Sequence, residues 1–155
     1  MAIINWKEEM LKRREALNPL KSIKSPINQK GRFCIRPFAY ADIESDLSLR
    51  CCCMSWMTKD FGKLHECSIK DVWNSETAQK IRKSILEGTY EYCNWHQCPI
   101  YSNPENGLYS KEQLKHLMKS ELKKISPWIE HILNGKTEID ILPAIYNFCY
   151  DNTCN

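Results

Sequence analysis

The chain has 155 residues, 43% apolar and 26% charged, with a net charge of +3. That is enough apolar material for a core and too little charge to argue for a nucleic-acid partner, and no apolar run approaches the roughly 20 residues that span a bilayer. The opening Met1-Ala2-Ile3-Ile4-Asn5-Trp6-Lys7-Glu8-Glu9 turns charged at once and offers no apolar signal segment, so a cytoplasmic protein is expected.

The first predicted element is a helix over residues 5–17. Asn5 caps it, Glu8 stands at the reciprocal position, and Trp6, Met10, Leu11 and Leu17 form one stripe. Residues 18–32, with Pro19, Pro26 and Gly31, read as a linker. Residues 33–67 read as extended. Leu47, Leu49, Cys51 and Cys53 alternate with Ser48, Arg50 and Cys52, the pattern of a half-buried strand, with a turn near Thr58-Lys59-Asp60 and a return strand around 61–66. Ser68 with Asp71 resembles a capping box opening a short helix with Val72 and Trp73. Residues 76–87 form a second helix, with Ala78, Ile81 and Ile85 on one face and Gly88 just past its end.

Residues 89–107, with Pro99, Pro104 and Gly107, read as an irregular loop. Ser110 with Gln113 starts a third helix, with Leu114, Leu117, Met118, Leu122 and Ile125 on its buried side. Lys111, Lys115, Lys119 and Lys123 mark a solvated face. Ser126-Pro127 starts a last helix ending near Gly135, and residues 139–148 read as a strand. The fold class expected is α+β: a small β-hairpin and helix, flanked by an N-terminal helix and C-terminal helices.

Nine cysteines are the informative feature. In a reducing compartment thiols stay reduced, so a cysteine-rich chain points to metal rather than to disulfides, and an odd number fits a closed disulfide framework poorly. The strongest grouping is Cys34, then Cys51-Cys52-Cys53, then Cys93-Asn94-Trp95-His96-Gln97-Cys98-Pro99. Four thiolates suit either a cubane iron–sulfur cluster or a tetrahedral zinc. His96 opens a Cys3His zinc site, set against an exposed loop histidine; His65, His116 and His131 show no ligand spacing. If the strand runs on through the triplet, Cys52 points away from Cys51 and Cys53. Arg36, Arg50 and Arg82 are candidates to offset the charge of a bound cluster, with surface solvation as the plainer account.

An ordered series of short segments now resembles a known family. Phe33-Cys34-Ile35-Arg36-Pro37-Phe38, Cys52-Cys53-Met54-Ser55-Trp56, Phe61-Gly62-Lys63-Leu64, Ser68 to Ser75, Ile81 to Gly88, Tyr92-Cys93 and Cys98-Pro99 look like the SPASM domain, the auxiliary-cluster domain of many radical S-adenosylmethionine enzymes. The resemblance covers about residues 33–105. It implies one auxiliary [4Fe–4S] cluster on Cys34, Cys52, Cys93 and Cys98, with Cys51 or Cys53 as rivals of Cys52. Leu47 stands where the family usually has glycine, and Lys63 where it usually has asparagine.

Residues 143–155, ending in Tyr150-Asp151-Asn152-Thr153-Cys154-Asn155, resemble the entry strand and first cysteine of a radical S-adenosylmethionine domain. The organisation expected is 1–32 helix and linker, 33–105 cluster domain, 106–140 helical segment, and 141–155 the start of a radical domain. A truncated or free-standing form is left open. The expected role is a cluster module for electron relay or structure, not an enzyme by itself. The expected partners are a radical S-adenosylmethionine domain in cis or trans and a peptide or protein substrate, with no nucleic acid and no membrane. The rival readings are a structural zinc-binding interaction domain and a metal-free helical domain.

Overall fold

The computed structural model describes residues 29–149. The helix expected over 5–17, most of the 18–32 linker and Cys154 lie outside the described residues.

Strand β1 (Phe33–Cys34) is followed at once by a single helical turn, α1 (Arg36–Ala39), inside a stretch expected to be extended. Pro37 stands in the first turn of α1, where its missing N–H costs nothing. Strands β2 (Tyr40–Glu44), β3 (Ser48–Arg50) and β4 (Gly62–Lys63) then form an antiparallel meander. The turn joining β2 to β3 is closed by Leu47 N donating to Glu44 O at 2.9 Å, with Leu47 at φ 59°. A three-residue hairpin loop commonly ends on such a left-handed residue. The side chain of Asp46 accepts from Ser48 N and Ser48 Oγ, and Lys63 Nζ pairs with its other oxygen. The two departures from the family pattern, Leu47 and Lys63, thus meet at one turn.

Short helix α2 (Ile69–Trp73) is capped by Ser68 Oγ, which accepts from Asp71 N. Helix α3 (Glu76–Glu87) runs as expected, capped by Ser75 and ended by Gly88 at φ 76°. Its Ala78, Ile81 and Ile85 are buried, each isoleucine contributing on the order of 1.5–3 kcal/mol of apolar burial. The following loop contains one more helical turn, α4 (Pro99–Ser102), and strand β5 (Leu108–Tyr109), which pairs antiparallel with β1.

Helix α5 (Lys111–Leu117) opens with both halves of the Ser110/Gln113 capping box. It stops at Leu117 instead of reaching Ile125. Ser120 turns back so that both its N–H (3.1 Å) and its hydroxyl (2.8 Å) donate to Leu117 O, a local bond that competes with the helix ladder. A 3₁₀ turn, Glu121–Ile125, leads into α6 (Ser126–Leu133).

Residues 139–144 are not strand: Trp73 Nε1 donates to Ile141 O, Trp128 Nε1 to Leu142 O and Asn74 Nδ2 to Ile139 O, taking the carbonyls a ladder would use. Only β6 (Ile145–Cys149) is extended. It lies parallel to β2, from Tyr40↔Ile145 to Glu44↔Cys149. The sheet order is β4-β3-β2-β6, and the fold is α+β.

One core joins these pieces: Phe38, Leu49, Trp73, Ile81, Ile85, Leu114, Ile129 and Ile139 are all buried. Arg82 lies inside it with no exposed surface. Its guanidinium donates to Pro37 O (2.8 Å), Trp73 O (2.7 Å), Thr137 O (2.9 Å) and Asn74 Oδ1 (3.2 Å), and stacks over Trp73 at 4.4 Å. Arg82 therefore ties α3 to α1, α2 and the approach to β6. Surface solvation does not explain it. Among the described residues no helix is long and apolar enough to cross a membrane.

Candidate metal centre

Three separate stretches bring thiols together. Cys34 closes β1, and the Arg36 N–H just beyond it donates to the Cys34 thiol. The triplet follows β3, whose ladder ends at Arg50, so Cys51 and Cys52 lie in a bend rather than a strand. The alternation expected to turn Cys52 away from its neighbours does not apply there. Cys93 is tied to the loop after the triplet by an isolated bridge to Met57. Cys98 stands at the N-cap of α4, beside the main-chain N–H groups of Ile100 and Tyr101, which favour its ionised form.

The two cysteine loops are stitched by bonds to main-chain carbonyls. Thr58 N donates to Tyr92 O (3.0 Å), Asn94 N to Trp56 O (2.8 Å) and Asn94 Nδ2 to Ser55 O (3.1 Å). Tyr90 O–H donates to Arg32 O at 2.8 Å, fixing the entry to β1 against the entry to the closing loop. These bonds hold the thiol-bearing segments, which also contribute Phe33, Met57, Tyr90 and Tyr101 to the buried core.

The electrostatics define a group. The Cys34 thiol is pushed up to about 12, chiefly by burial and also by the Cys52 and Cys98 thiols. Cys93 is raised well above the usual thiol value by burial, then by Cys34, Cys52 and Cys98. Cys98 is raised by burial and by Cys52. Every pair among Cys34, Cys52, Cys93 and Cys98 is thus within mutual electrostatic reach. A bound cation reverses this logic, because a coordinating thiol is deprotonated outright.

Cys51 is also raised, by burial, by a hydrogen bond with Cys52 and by the thiols of Cys52, Cys34 and Cys93, so it lies within electrostatic reach of three of the four. It is fully buried, however, and its Sγ lies 4.0 Å from Met57 Sδ. Cys53 Sγ lies 3.0 Å from Ser55 Oγ. Cys67 is exposed. His96 is exposed and stacks on Trp95, with centroids 3.4 Å apart, as expected of a loop histidine.

The donor set fits an iron–sulfur cluster: soft sulfur ligands, burial, and main-chain N–H groups aimed at two of the sulfurs. Among the described residues, no three His, Cys, Asp or Glu side chains form a ready coordination shell for a metal ion.

The three arginines named from the sequence separate here. Arg82 is committed to carbonyls in the core. Arg50 reaches Asp60 at 3.4 Å and Glu44 at 4.0 Å. Arg36 is the one whose charge acts on Cys34 and Cys98.

Comparison with known families gives one finding. The SPASM family model, described as an iron–sulfur cluster-binding domain, matches residues 34–99, from the first thiol of the group to the residue after the last. No curated protein and no solved structure matches the chain. Residues 34–99 are therefore similar to the SPASM domain, whose family description is an iron–sulfur cluster-binding domain.

Proposed function

We propose that Cys34, Cys52, Cys93 and Cys98 hold one [4Fe–4S] cluster, and that the chain serves as an auxiliary-cluster module beside a radical S-adenosylmethionine domain. The observation that carries the reading is the mutual electrostatic reach of these four thiols within the matched segment. When bound, such a cluster supplies one-electron transfer. Four protein thiolates leave no iron open, which favours relay or a structural role over direct binding of substrate. The chain's own part is to bury the sulfurs, set the main-chain N–H groups of Arg36, Ile100 and Tyr101 beside them, and bind the three thiol-bearing stretches into one body.

The neighbouring radical domain is supported by β6. It is parallel to β2, and parallel pairing belongs to sheets continued by further strands and covered on both faces. Tyr146 and Phe148, on the face beside Ala41 and Ile43, are 38% and 58% exposed. A domain continuing the sheet from β6, in the same chain or a second one, would cover them. A cytoplasmic setting follows from the reduced thiols such a site requires.

The test is anaerobic reconstitution followed by iron and sulfide analysis, visible absorption and spin-resonance spectra. Cys93→Ser and Cys98→Ser should lose most of the iron, while Cys149→Ser retains it. Cys51→Ser should also retain it, at some cost in stability from a hydroxyl in a buried thiol's place. Equal retention in all four variants overturns the assignment. A colourless, sulfide-free protein holding zinc would replace the cluster by a structural metal.

A further inference from the structure

Arg36 occupies an unusual position. Its guanidinium lies 4.9 Å from the centre of the Tyr40 ring and 5.7 Å from that of Trp56. Tyr40 starts β2. Trp56 hangs from the loop between the cysteine triplet and the closing pair, its N–H donating to Cys53 O and its carbonyl accepting from Asn94 N. The cation is therefore clamped between two rings from different parts of the site. Asp42, the nearest carboxylate, stands 4.0 Å away and already accepts from Asn147 Nδ2 at 2.7 Å.

The clamp stands beside the ligand loops. Arg36 is two residues beyond Cys34, its main-chain N–H pointing to that thiol. Trp56 is tied by its main chain to Cys53 and to Asn94, the neighbour of Cys93. A guanidinium stays charged at any accessible pH, and stacking on aromatic faces suits its planar, weakly hydrated form. A fixed positive charge stabilises whichever state of a nearby centre carries the extra electron.

We propose that Arg36, clamped between Tyr40 and Trp56, is a positioning residue that raises the reduction potential of the cluster held by Cys34, Cys52, Cys93 and Cys98, with Asp42 as its counterweight. The proposal rests on the cluster reading above. It predicts opposite signs for two neighbouring substitutions. Arg36→Gln removes positive charge and should move the midpoint potential negative. Asp42→Asn removes the opposing charge and should move it positive. Arg36→Lys keeps the charge without the planar stack and should fall between Arg36→Gln and the unaltered protein.

The experiment is a potentiometric titration of the reconstituted full chain, followed by spin resonance, with iron and sulfide measured on each sample. Iron and sulfide equal to the unaltered protein, with the stated order of potentials, supports the proposal. Full cluster content with unchanged potentials in Arg36→Gln and Asp42→Asn overturns it. So does loss of the cluster in both Arg36→Gln and Arg36→Lys, which would make the residue a structural clamp. Failure of the unaltered protein to take up iron and sulfide would instead sink the underlying cluster reading.

Discussion

Gly88 joins the scaffold to the thiol site through a backbone approach too close for a side chain. It ends α3 at φ +76°, and a Cβ placed on it would lie 2.6 Å from both Lys30 N and Lys30 Cα, and 2.9 Å from Gln29 C. Gln29 N also donates to Gly88 O at 3.3 Å. The Lys30 side of this contact runs into β1 and Cys34; the Gly88 side runs through Tyr90 to Cys93. Gly31 supplies the control. Its φ is +82°, but a Cβ there meets nothing within 4 Å. Gly31→Ala should therefore lose only the left-handed backbone preference, about 1 kcal/mol. Gly88→Ala loses the same and must also force two backbone segments apart, for a total of about 2–4 kcal/mol. With a urea slope of about 1–3 kcal/mol per molar for a small domain, the two midpoints should be well separated. Urea unfolding under anaerobic conditions, before and after reconstitution, measures this. The iron content of Gly88→Ala should fall as well, because the contact sets the spacing of Cys34 and Cys93. Equal losses of stability in the two variants would refute the argument, since the backbone overlap would then carry no energy.

The buried guanidinium gives a second expectation. Arg82→Met leaves the carbonyls of Pro37, Trp73 and Thr137 without their donor in the core, a loss of about 3–5 kcal/mol by thermal or urea unfolding; a loss below about 1 kcal/mol would show that these carbonyls find other partners. The thiols give a pH dependence. In the cluster-free protein Cys34 is raised from 9.0 to about 12, so the unfolded chain releases this proton first and stability should fall as pH rises from about 9 to 12. Loading the site removes the proton, so the loaded protein should lack that slope. A cluster-free stability that rises over this window refutes the protonated-thiol picture.

Elements whose signals lie within a few residues were readable from the sequence. The Ser110/Gln113 box is present with both bonds, and α3 spans Glu76–Glu87 because Ser75, the Ala78/Ile81/Ile85 stripe and Gly88 all point the same way. The ordered cysteine-bearing segments were readable too, and the family match covers the same stretch. Where local signals competed, reading failed: the apolar stripe from Leu114 to Ile125 suggested one helix, but Ser120 turns back onto Leu117. Only in three dimensions does Leu47 prove to hold a positive φ that glycine adopts without strain and leucine does not.

Composition and spacing by themselves marked the cysteine-bearing segment that the family model matches and the helix that crosses it. Tertiary structure alone decided that the triplet leaves the sheet before Cys51, that Arg82 is committed to carbonyls in the core, and that β6 returns to lie parallel to β2. These depend on contacts between residues far apart in the chain, as Asn147 with Asp42. No local periodicity encodes such pairings, because their energy exists only once the intervening chain has folded around the same core.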